Sequence, residues 1–558
     1  METISVVLSM LAAVVVSGII VRALPLAVPT PLVQIALGAV IAAFSPYEVS
    51  LNPDLFFLLF LPPLLFLDGW RIPKEGLLRD KGMILELSLG LVFFTVLGIG
   101  AFIHWMIPAM PWAVAFALAA IVSPTDPVAV SAITSRVPMP KRVMHVLEGE
   151  SLLNDASGLV CFRFAVAAAL TGVFSLSDAA IAFVQLAAVG IGVGVALTYV
   201  VVLVKERISR RLGEESGSHV LISLLIPFGA YEVAEHLGGS GILSAVAAGI
   251  TMSYMELGGR TAASTRVQRT AVWDTVQFAL NGIMFVLLGE QLPGIFAGAV
   301  DVVRESNHEN PWWLAVYVLA INFGLAALRF VWVWVSGRLT LWLARRRGEP
   351  VTQKPSLRLV AVMSVAGVRG AITLAGVLTL PLALGDGTPF PARDLTIFLA
   401  AGVIILSLIA SSVLLPPLLR GLEVPPEVAE EAEIDRARIA AAEAAIPAVE
   451  AALHDMAKGH VDADVYAEAG ARVMELYRRR IEGHAAIENA ERLRQTDYIE
   501  ARLRIAALCA EREVVFALAR AHEISDQTAR KLVRDVDLQE ERIKGVVIRP
   551  ASRASDRA

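Results

Sequence analysis

Two carboxylates stand where carboxylates are costly. Asp155 ends the run Gly149-Glu150-Ser151-Leu152-Leu153-Asn154-Asp155, which continues unbroken into apolar sequence that reads as a membrane-spanning helix. Asp126 lies inside another apolar stretch, in Ser123-Pro124-Thr125-Asp126-Pro127. A carboxylate near the middle of a bilayer is expensive and persists only with a task or a partner. Two of them, beside helix-breaking prolines, point to a site where a cation and a proton compete.

The neighbours fit that chemistry. Proline lacks an N–H and its ring clashes with the carbonyl four residues back, so Pro124 and Pro127 free carbonyl oxygens around Ala120–Ser123. Such backbone is tolerable in a bilayer only where it is buried in protein or lines a wet cavity. With the Thr125 hydroxyl and the Asp126 carboxylate it supplies oxygen ligands suited to a small, hard monovalent cation. The plainer reading is a helix cap, because Thr and Asp before Pro cap helices routinely. Further along, Ser151, Asn154, Asp155 and Gly158 stand at i, i+3, i+4 and i+7 and share one helix face. Ser151 and Asn154 add neutral oxygens beside Asp155, and Gly158 leaves room for another helix. The competing reading has Ser and Asn joining helices and Asp155 paired with Arg163 two turns on. Arg369, between Gly367 and Gly370, needs an anionic partner if buried; Asp126, Asp155, Glu150 and Asp68 are the candidates. Asp68 stands near one end of its own apolar stretch, either as a guard at the inner entrance or as an interfacial carboxylate beside Arg71.

The elements that must carry these residues are membrane helices. Apolar residues make up 56% of the 558-residue chain and charged residues 18%, and the mean hydropathy is +0.64. The charges crowd into short loops and into everything after about Gly421. The net charge of −5 and the scattered basic clusters give no nucleic-acid surface. Two cysteines, Cys161 and Cys509, are too few for a metal site and read as packing residues. Glu2 is the only charge before the first apolar run, so that run reads as a first spanning helix rather than a signal peptide.

A span needs about 20 mostly apolar residues. Thirteen stretches qualify: 3–22, 25–44, 54–71, 83–106, 112–134, 149–171, 179–204, 218–237, 240–256, 271–291, 312–342, 357–383 and 395–419. The second, third and ninth are short or interrupted by Pro or Gly. Cytoplasmic loops collect Lys and Arg. Arg71, Lys74, Arg79 and Lys81 follow span 3; Arg136, Lys141 and Arg142 follow span 5; Lys205, Arg207, Arg210 and Arg211 follow span 7. Arg260, Arg266 and Arg269 follow span 9, and Arg345, Arg346, Arg347 and Lys354 follow span 11, whereas the alternate loops hold Arg304 and Arg393. The alternation places the N-terminus outside and the C-terminus in the cytoplasm.

The expected fold is therefore an all-α polytopic membrane protein with thirteen transmembrane helices. Two inverted repeats, spans 1–6 and 8–13, flank a linker, with spans 5 and 12 as the discontinuous helix of each half. Residues 1–421 form the transmembrane domain. After Pro425-Pro426, residues 422–558 form a helical cytoplasmic tail, either a regulatory or dimer-contact region or simply a solvated one.

These motifs resemble the first monovalent cation/proton antiporter family, the sodium/proton exchangers. The resemblance is carried by Phe60-Leu61-Pro62-Pro63, Ser123-Pro124-Thr125-Asp126-Pro127, Glu148-Gly149-Glu150-Ser151-Leu152-Leu153-Asn154-Asp155, Ser240-Gly241-Ile242-Leu243 and Gly367-Val368-Arg369-Gly370-Ala371. It implies a homodimer in the cell membrane, with a scaffold and a core that moves against it. It implies that Asp155 binds the cation and carries the proton, that Thr125, Asp126 and Ser151 help coordinate, and that Glu150 and Arg369 form a structural ion pair. Asn before the essential Asp, here Asn154, implies electroneutral exchange. Arg163 lies outside the family pattern and the spacing around Asp68 departs from it.

The expected function is Na⁺/H⁺ antiport in pH and sodium homeostasis, with sodium at Asp126, Ser151 and Asp155, no cofactor beyond the transported ions, and Asp68 and Asn154 as further site residues. K⁺/H⁺ exchange is the near alternative and Li⁺ a further cargo. A sodium-coupled carrier of organic solutes needs more spare polar residues than Asn281, Asn322 and Arg329, and a pH-sensing channel would lack coupled counterflow. An enzyme is not expected, because no Ser–His or His–metal arrangement lies in the spans and His104 stands alone.

Overall fold

The computed structural model describes residues 2–24, 28–44, 53–71, 81–134, 139–172, 176–213, 215–256, 263–305, 312–346, 356–384, 387–420, 428–457, 463–485, 487–521 and 523–547. Lys74, Arg79, Arg136, Arg260, Arg347, Lys354 and the Pro425-Pro426 pair lie outside them.

The chain divides into two compact units, Met1–Glu423 and Val424–Ala558. In the first, the helices are α1 (Glu2–Ala23), α2 (Thr30–Phe44), α3 (Pro53–Arg71), α4 (Lys81–Leu85), a π-helical turn (Glu86–Gly90), α5 (Leu91–Met106), α6 (Trp112–Val122), α7 (Pro127–Thr134) and α8 (Lys141–Thr171). There follow α9 (Leu176–Leu212), α10 (Ser216–His236), α11 (Gly241–Glu256), α12 (Ala263–Glu305), α13 (Trp312–Arg346), α14 (Leu357–Val365), α15 (Ala371–Leu378) and α16 (Arg393–Leu419). Among the described residues the only β pairing is an isolated bridge between Ala383 and Pro389.

Eight described helices are long and apolar enough to cross a membrane, and α2 and α6 are shorter apolar ones. A hydrophobic stretch broken near its middle yields two half-helices, neither of spanning length. That is the state of α6–α7, broken between Val122 and Pro127, and of α14–α15, broken between Val365 and Ala371. Span 3 behaves differently from expectation. Its Pro62 and Pro63 lie inside a continuous α3, whose neighbours hold it where propensity alone would not. Both α9 and α12 run past their apolar stretches, to Leu212 and Glu305.

The helices of this unit pack as two groups, which meet chiefly where α12 lies on α16. In one, α6 lies against α5 and α8, and α13 packs on α5, α14 and α16. In the other, α2 lies along α12, and α11 is held between α3, α9 and α10. Glycines permit the closest crossings: a Cβ at Gly249 or Gly69 of the second group would collide with backbone carbonyls of Phe66 or Val246. The π turn, which lies just before α5, packs on α8. Its Ser88 carbonyl accepts from Ser157 Oγ at 2.8 Å. This pins α8 beside Asp155.

The second unit consists of α17 (Val428–Ala457), α18 (Ala463–Ala485), α19 (Ile487–Arg520) and α20 (Asp526–Val547). These are the amphipathic helices the tail's periodicity predicts. Neighbours in sequence pack together, and Arg512 of α19 pairs with Asp537 (2.9 Å) and Glu540 of α20.

Candidate ion-binding site

The site is built where the two interrupted helices cross. The main-chain N–H of Asp126 donates to Val368 O at 2.7 Å, joining one break to the other. Asp126 is the N-cap of α7: its Oδ1 accepts from the N–H of Ala129 at 3.3 Å, with Pro127 as first helical residue. The cap reading is realised, and the same carboxylate also lines a cavity.

That cavity is walled by Asp68 and Leu64 of α3, Pro124, Thr125, Asp126 and Pro127 at the first break, and Ser151 and Asp155 of α8. Gln277 and Asn281 of α12, and Gly370, Ile372 and Thr373 at the second break, complete it. Its wall therefore draws on both helix groups. Asp155 is 4% exposed, and Ser151 Oγ donates to its Oδ2 at 3.5 Å. Among the described residues no group of three His, Cys, Asp or Glu is arranged to hold a metal ion. A cation here would take one or two carboxylates and fill its shell with neutral oxygens. Gly158 does what its spacing suggests: a Cβ there would come within 2.5 Å of Pro124 Cγ, so α8 meets the first break with no room to spare.

Of the expected site residues, Asp155, Asp126, Thr125, Ser151 and Asp68 come together in this one cavity. Asp68 lies within the electrostatic reach of Arg71, but the hydrogen bonds of that guanidinium go to Asp274 and, at 2.7 Å, to Gln277. Two expectations are corrected. Asn154 is not in the wall. Its Nδ2 donates to Thr125 Oγ1 at 3.0 Å and to Glu150 Oε1 at 3.4 Å, and its Oδ1 is buried without a hydrogen-bond partner. Residues i+3 and i+4 flank the face of residue i from opposite sides, about 100° apart around the helix axis, which is enough to send one side chain into the cavity and the other behind it.

The second correction concerns Glu150. Its guanidinium partner is Arg329 of α13, not Arg369. Arg329 engages it in a fork, Nη1 to Oε1 and Nη2 to Oε2 (2.7 Å), while its Nε donates to Met363 O at 2.9 Å. Arg369 instead donates through Nε to Val122 O at 2.8 Å and through Nη1 to Gly367 O. The physical reason lies in the breaks. A helix that stops inside protein leaves carbonyls without partners and a partial negative charge at its C-terminal end. Arg369 satisfies both at the end of α6 and in the second break. Glu150, fully buried, then takes the other arginine, which arrives in the bidentate geometry a carboxylate prefers. The partner was detectable in principle: Arg329 is a charge in the middle of an apolar span and had to be neutralised somewhere. Gln277 and Thr373 carried no comparable signal.

Arg163 does not pair with Asp155. Its Nη1 reaches Glu235 at 2.9 Å and its Nη2 the Tyr231 hydroxyl at 3.3 Å.

Comparison with known proteins gives the family. The family model "Sodium/hydrogen exchanger, transmembrane" matches residues 10–421. The chain is 39% identical over 546 residues to the uncharacterized Na⁺/H⁺ exchanger YjcE of Escherichia coli K12, covering 97% of this chain and 98% of that one. It is 46% identical over 424 residues to the sodium, potassium, lithium and rubidium/H⁺ antiporter of Bacillus pumilus, covering 75% of this chain and 61% of the relative. The solved sodium proton antiporter MjNhaP1 of Methanocaldococcus jannaschii shares the fold, with a TM-score of 0.54 at 20% identity over 76% of this chain and 99% of that one. With one model spanning most of the sequence and a relative matched nearly end to end, this chain is a multi-pass membrane protein belonging to the sodium/hydrogen exchanger family.

Proposed function

We propose that this protein exchanges Na⁺ for H⁺ across the cell membrane by alternating access, with Asp155 as the shared seat. The observation that carries the reading is the cavity itself: Asp68, Asp126 and Asp155 face one space at the crossing of two interrupted helices. A bound cation favours the ionised carboxylate and expels its proton; a bound proton removes the charge that holds the cation. If only the neutralised site can pass between inward- and outward-facing states, one ion cannot leak without the other, because a bare charge is too costly to move through the barrier. Asp126 and Ser151 complete the sodium shell, and Thr125 joins them through the first break. Asn154, Glu150 and Arg329 hold that shell from behind.

The finer architecture belongs to the same proposal. Thirteen crossings, with the N-terminus outside and the tail in the cytoplasm, agree with the loop charges. Two inverted halves are supported by the equivalent positions of the two breaks. Residues 1–421 form the exchanger, 422–558 the cytoplasmic tail, and a homodimer is the expected assembly. One proton for one cation, hence electroneutral exchange serving pH and sodium homeostasis, is the expected stoichiometry.

Proton flux in proteoliposomes, driven by Na⁺, Li⁺ or K⁺ and measured with and without an imposed potential, tests the reading. Asp155→Asn should abolish cation-dependent flux in a folded protein, and robust exchange by that variant would sink the assignment. Exchange of K⁺ for H⁺ is a second reading, favoured by the potassium named among the cations of the Bacillus relative. The same assay separates the two by comparing the cations.

A further inference from the structure

Arg163 lies on α8 eight residues beyond Asp155, roughly 12 Å further along the axis. It is outside the cavity wall and outside the motifs that define the site. Its receptor is on the other helix group. Glu235 Oε1, at 2.9 Å from Arg163 Nη1, also accepts the N–H of Gly241 at 3.0 Å, while the Tyr231 hydroxyl accepts from Nη2 at 3.3 Å. The carboxylate is thereby oriented by the first residue of α11, across a turn that Gly238 makes at φ +71°. Between α8 and this group, helix packing is light: α8 lies mainly on α6 and the π turn, and only brushes α11 and α3. A charged fork therefore ties the helix that carries Asp155 to the opposing group at a place where few other contacts do.

Arg71 marks the opposite side. It binds Gln277, a cavity-wall residue, and follows Asp68 by one turn. In the proposed topology α3 ends and α8 begins on the same face of the membrane. Arg71 and Arg163 then stand on opposite sides of Asp155.

We propose that the Arg163–Glu235 pair is a latch. It holds the two helix groups together on the Arg163 side while the site is accessible from the Arg71 side, and it must open for access to be exchanged. The inference rests on alternating access at Asp155. Both side chains are about one-third exposed, so the latch is of modest strength and reversible. A pair of that kind contributes at most about a fivefold bias between two states.

The test uses the full chain in proteoliposomes, with Cys161→Ala and Cys509→Ser removing the native thiols and Ile372→Cys placing one in the cavity wall. A membrane-impermeant maleimide is applied from each face. The parent should label faster from the Arg71 face. Arg163→Ala and Glu235→Ala should each shift the ratio of the two labelling rates severalfold toward the other face. The double variant should shift no further than either single one. Should Arg163→Ala fail to fold, Arg163→Gln, which keeps the stem and drops the charge, carries the same expectation. An unchanged ratio, or shifts that simply add, overturns the latch while leaving the antiport reading untouched. That reading is judged separately, by cation-coupled proton flux in the parent and its loss in Asp155→Asn.

Discussion

The N–H of Asp126 donates to the carbonyl of Val368 at 2.7 Å, so two helices broken in mid-course are tied at their breaks. The bond places unlike ends together. Arg369 sits at the C-terminal end of α6, and the Asp126 carboxylate caps the N-terminal end of α7. Each charge offsets the partial charge of the helix end it touches. The crossing is therefore electrically settled by its own residues, and in the proposed mechanism Asp155, contributed by a third and continuous helix, supplies the charge that the cargo neutralises.

This crossing leaves no space at Gly370, where a Cβ would overlap Asp126 Oδ2. Gly370→Ala should displace the carboxylate and lower exchange by about tenfold or more, in line with overpacking costs of roughly 1–3 kcal/mol. Gly192→Ala, in α9 with nothing within 4 Å of the new Cβ, is the matched control and should retain wild-type flux. Equal activity of the two variants in proteoliposomes would show that the crossing tolerates movement of Asp126.

Much of this site was legible in the sequence because membranes make polar residues conspicuous. Asp155, Asp126 and the prolines beside it announce themselves against an apolar background, and the i, i+4, i+7 spacing puts Ser151, Asp155 and Gly158 on one working face. Pairing was not legible. Arg329 and Arg369 are both lone arginines in apolar stretches, and nothing local says which one reaches Glu150 across 179 residues. Nor does spacing separate Asn154 from Asp155, since the side of α8 that each commands depends on how α6 lies against it. Continuity was misjudged where propensity pointed the wrong way, as at Pro62 and Pro63 of α3.

The assignment of Glu150 to Arg329 can be tested by coupling. Removing one partner of a buried, bidentate pair strands the other and costs about 3–5 kcal/mol. Glu150→Gln and Arg329→Met should each lower the thermal midpoint markedly. The double variant should be less destabilised than the sum of the two, by about 0.5–3 kcal/mol. Glu150→Gln combined with Arg369→Met should come much closer to additivity, because Arg369 is spent on the carbonyls of Val122 and Gly367. The reverse pattern in thermal unfolding would return Glu150 to Arg369.

Asp68 and Asp155 share a cavity but belong to different helix groups. Asp155 is 4% exposed and held by Ser151, whereas Asp68 is half-buried on α3. Asp68→Asn should therefore raise the half-saturating Na⁺ concentration several-fold through lost attraction at the cavity wall, with the maximal rate largely kept. Asp155→Asn should remove the maximal rate itself. Rate against Na⁺ concentration for both variants distinguishes these roles, and equal loss of maximal rate would make Asp68 a second obligatory carrier.

Competition at Asp155 dictates a pH dependence whose sign can be worked out. Lowering the pH fills the site with protons, so the Na⁺ concentration needed for half-maximal rate should rise as pH falls. With one proton displaced per cation the rise approaches about tenfold per pH unit at the acidic limit. It should level off at higher pH, where the site is already ionised. There the maximal rate should decline instead, because protons become too scarce for the return step. The Asp126 and Asp155 carboxylates share one cavity, so the measured midpoint belongs to the pair and not to either residue alone. A limiting slope near one, together with a rate indifferent to imposed potential, is the outcome expected of one-for-one exchange. A slope near two with a potential-dependent rate would assign a second proton to the cycle, with Asp68 or Asp126 as its carrier. A half-saturating concentration that ignores pH would remove competition, and with it the shared seat, from the mechanism.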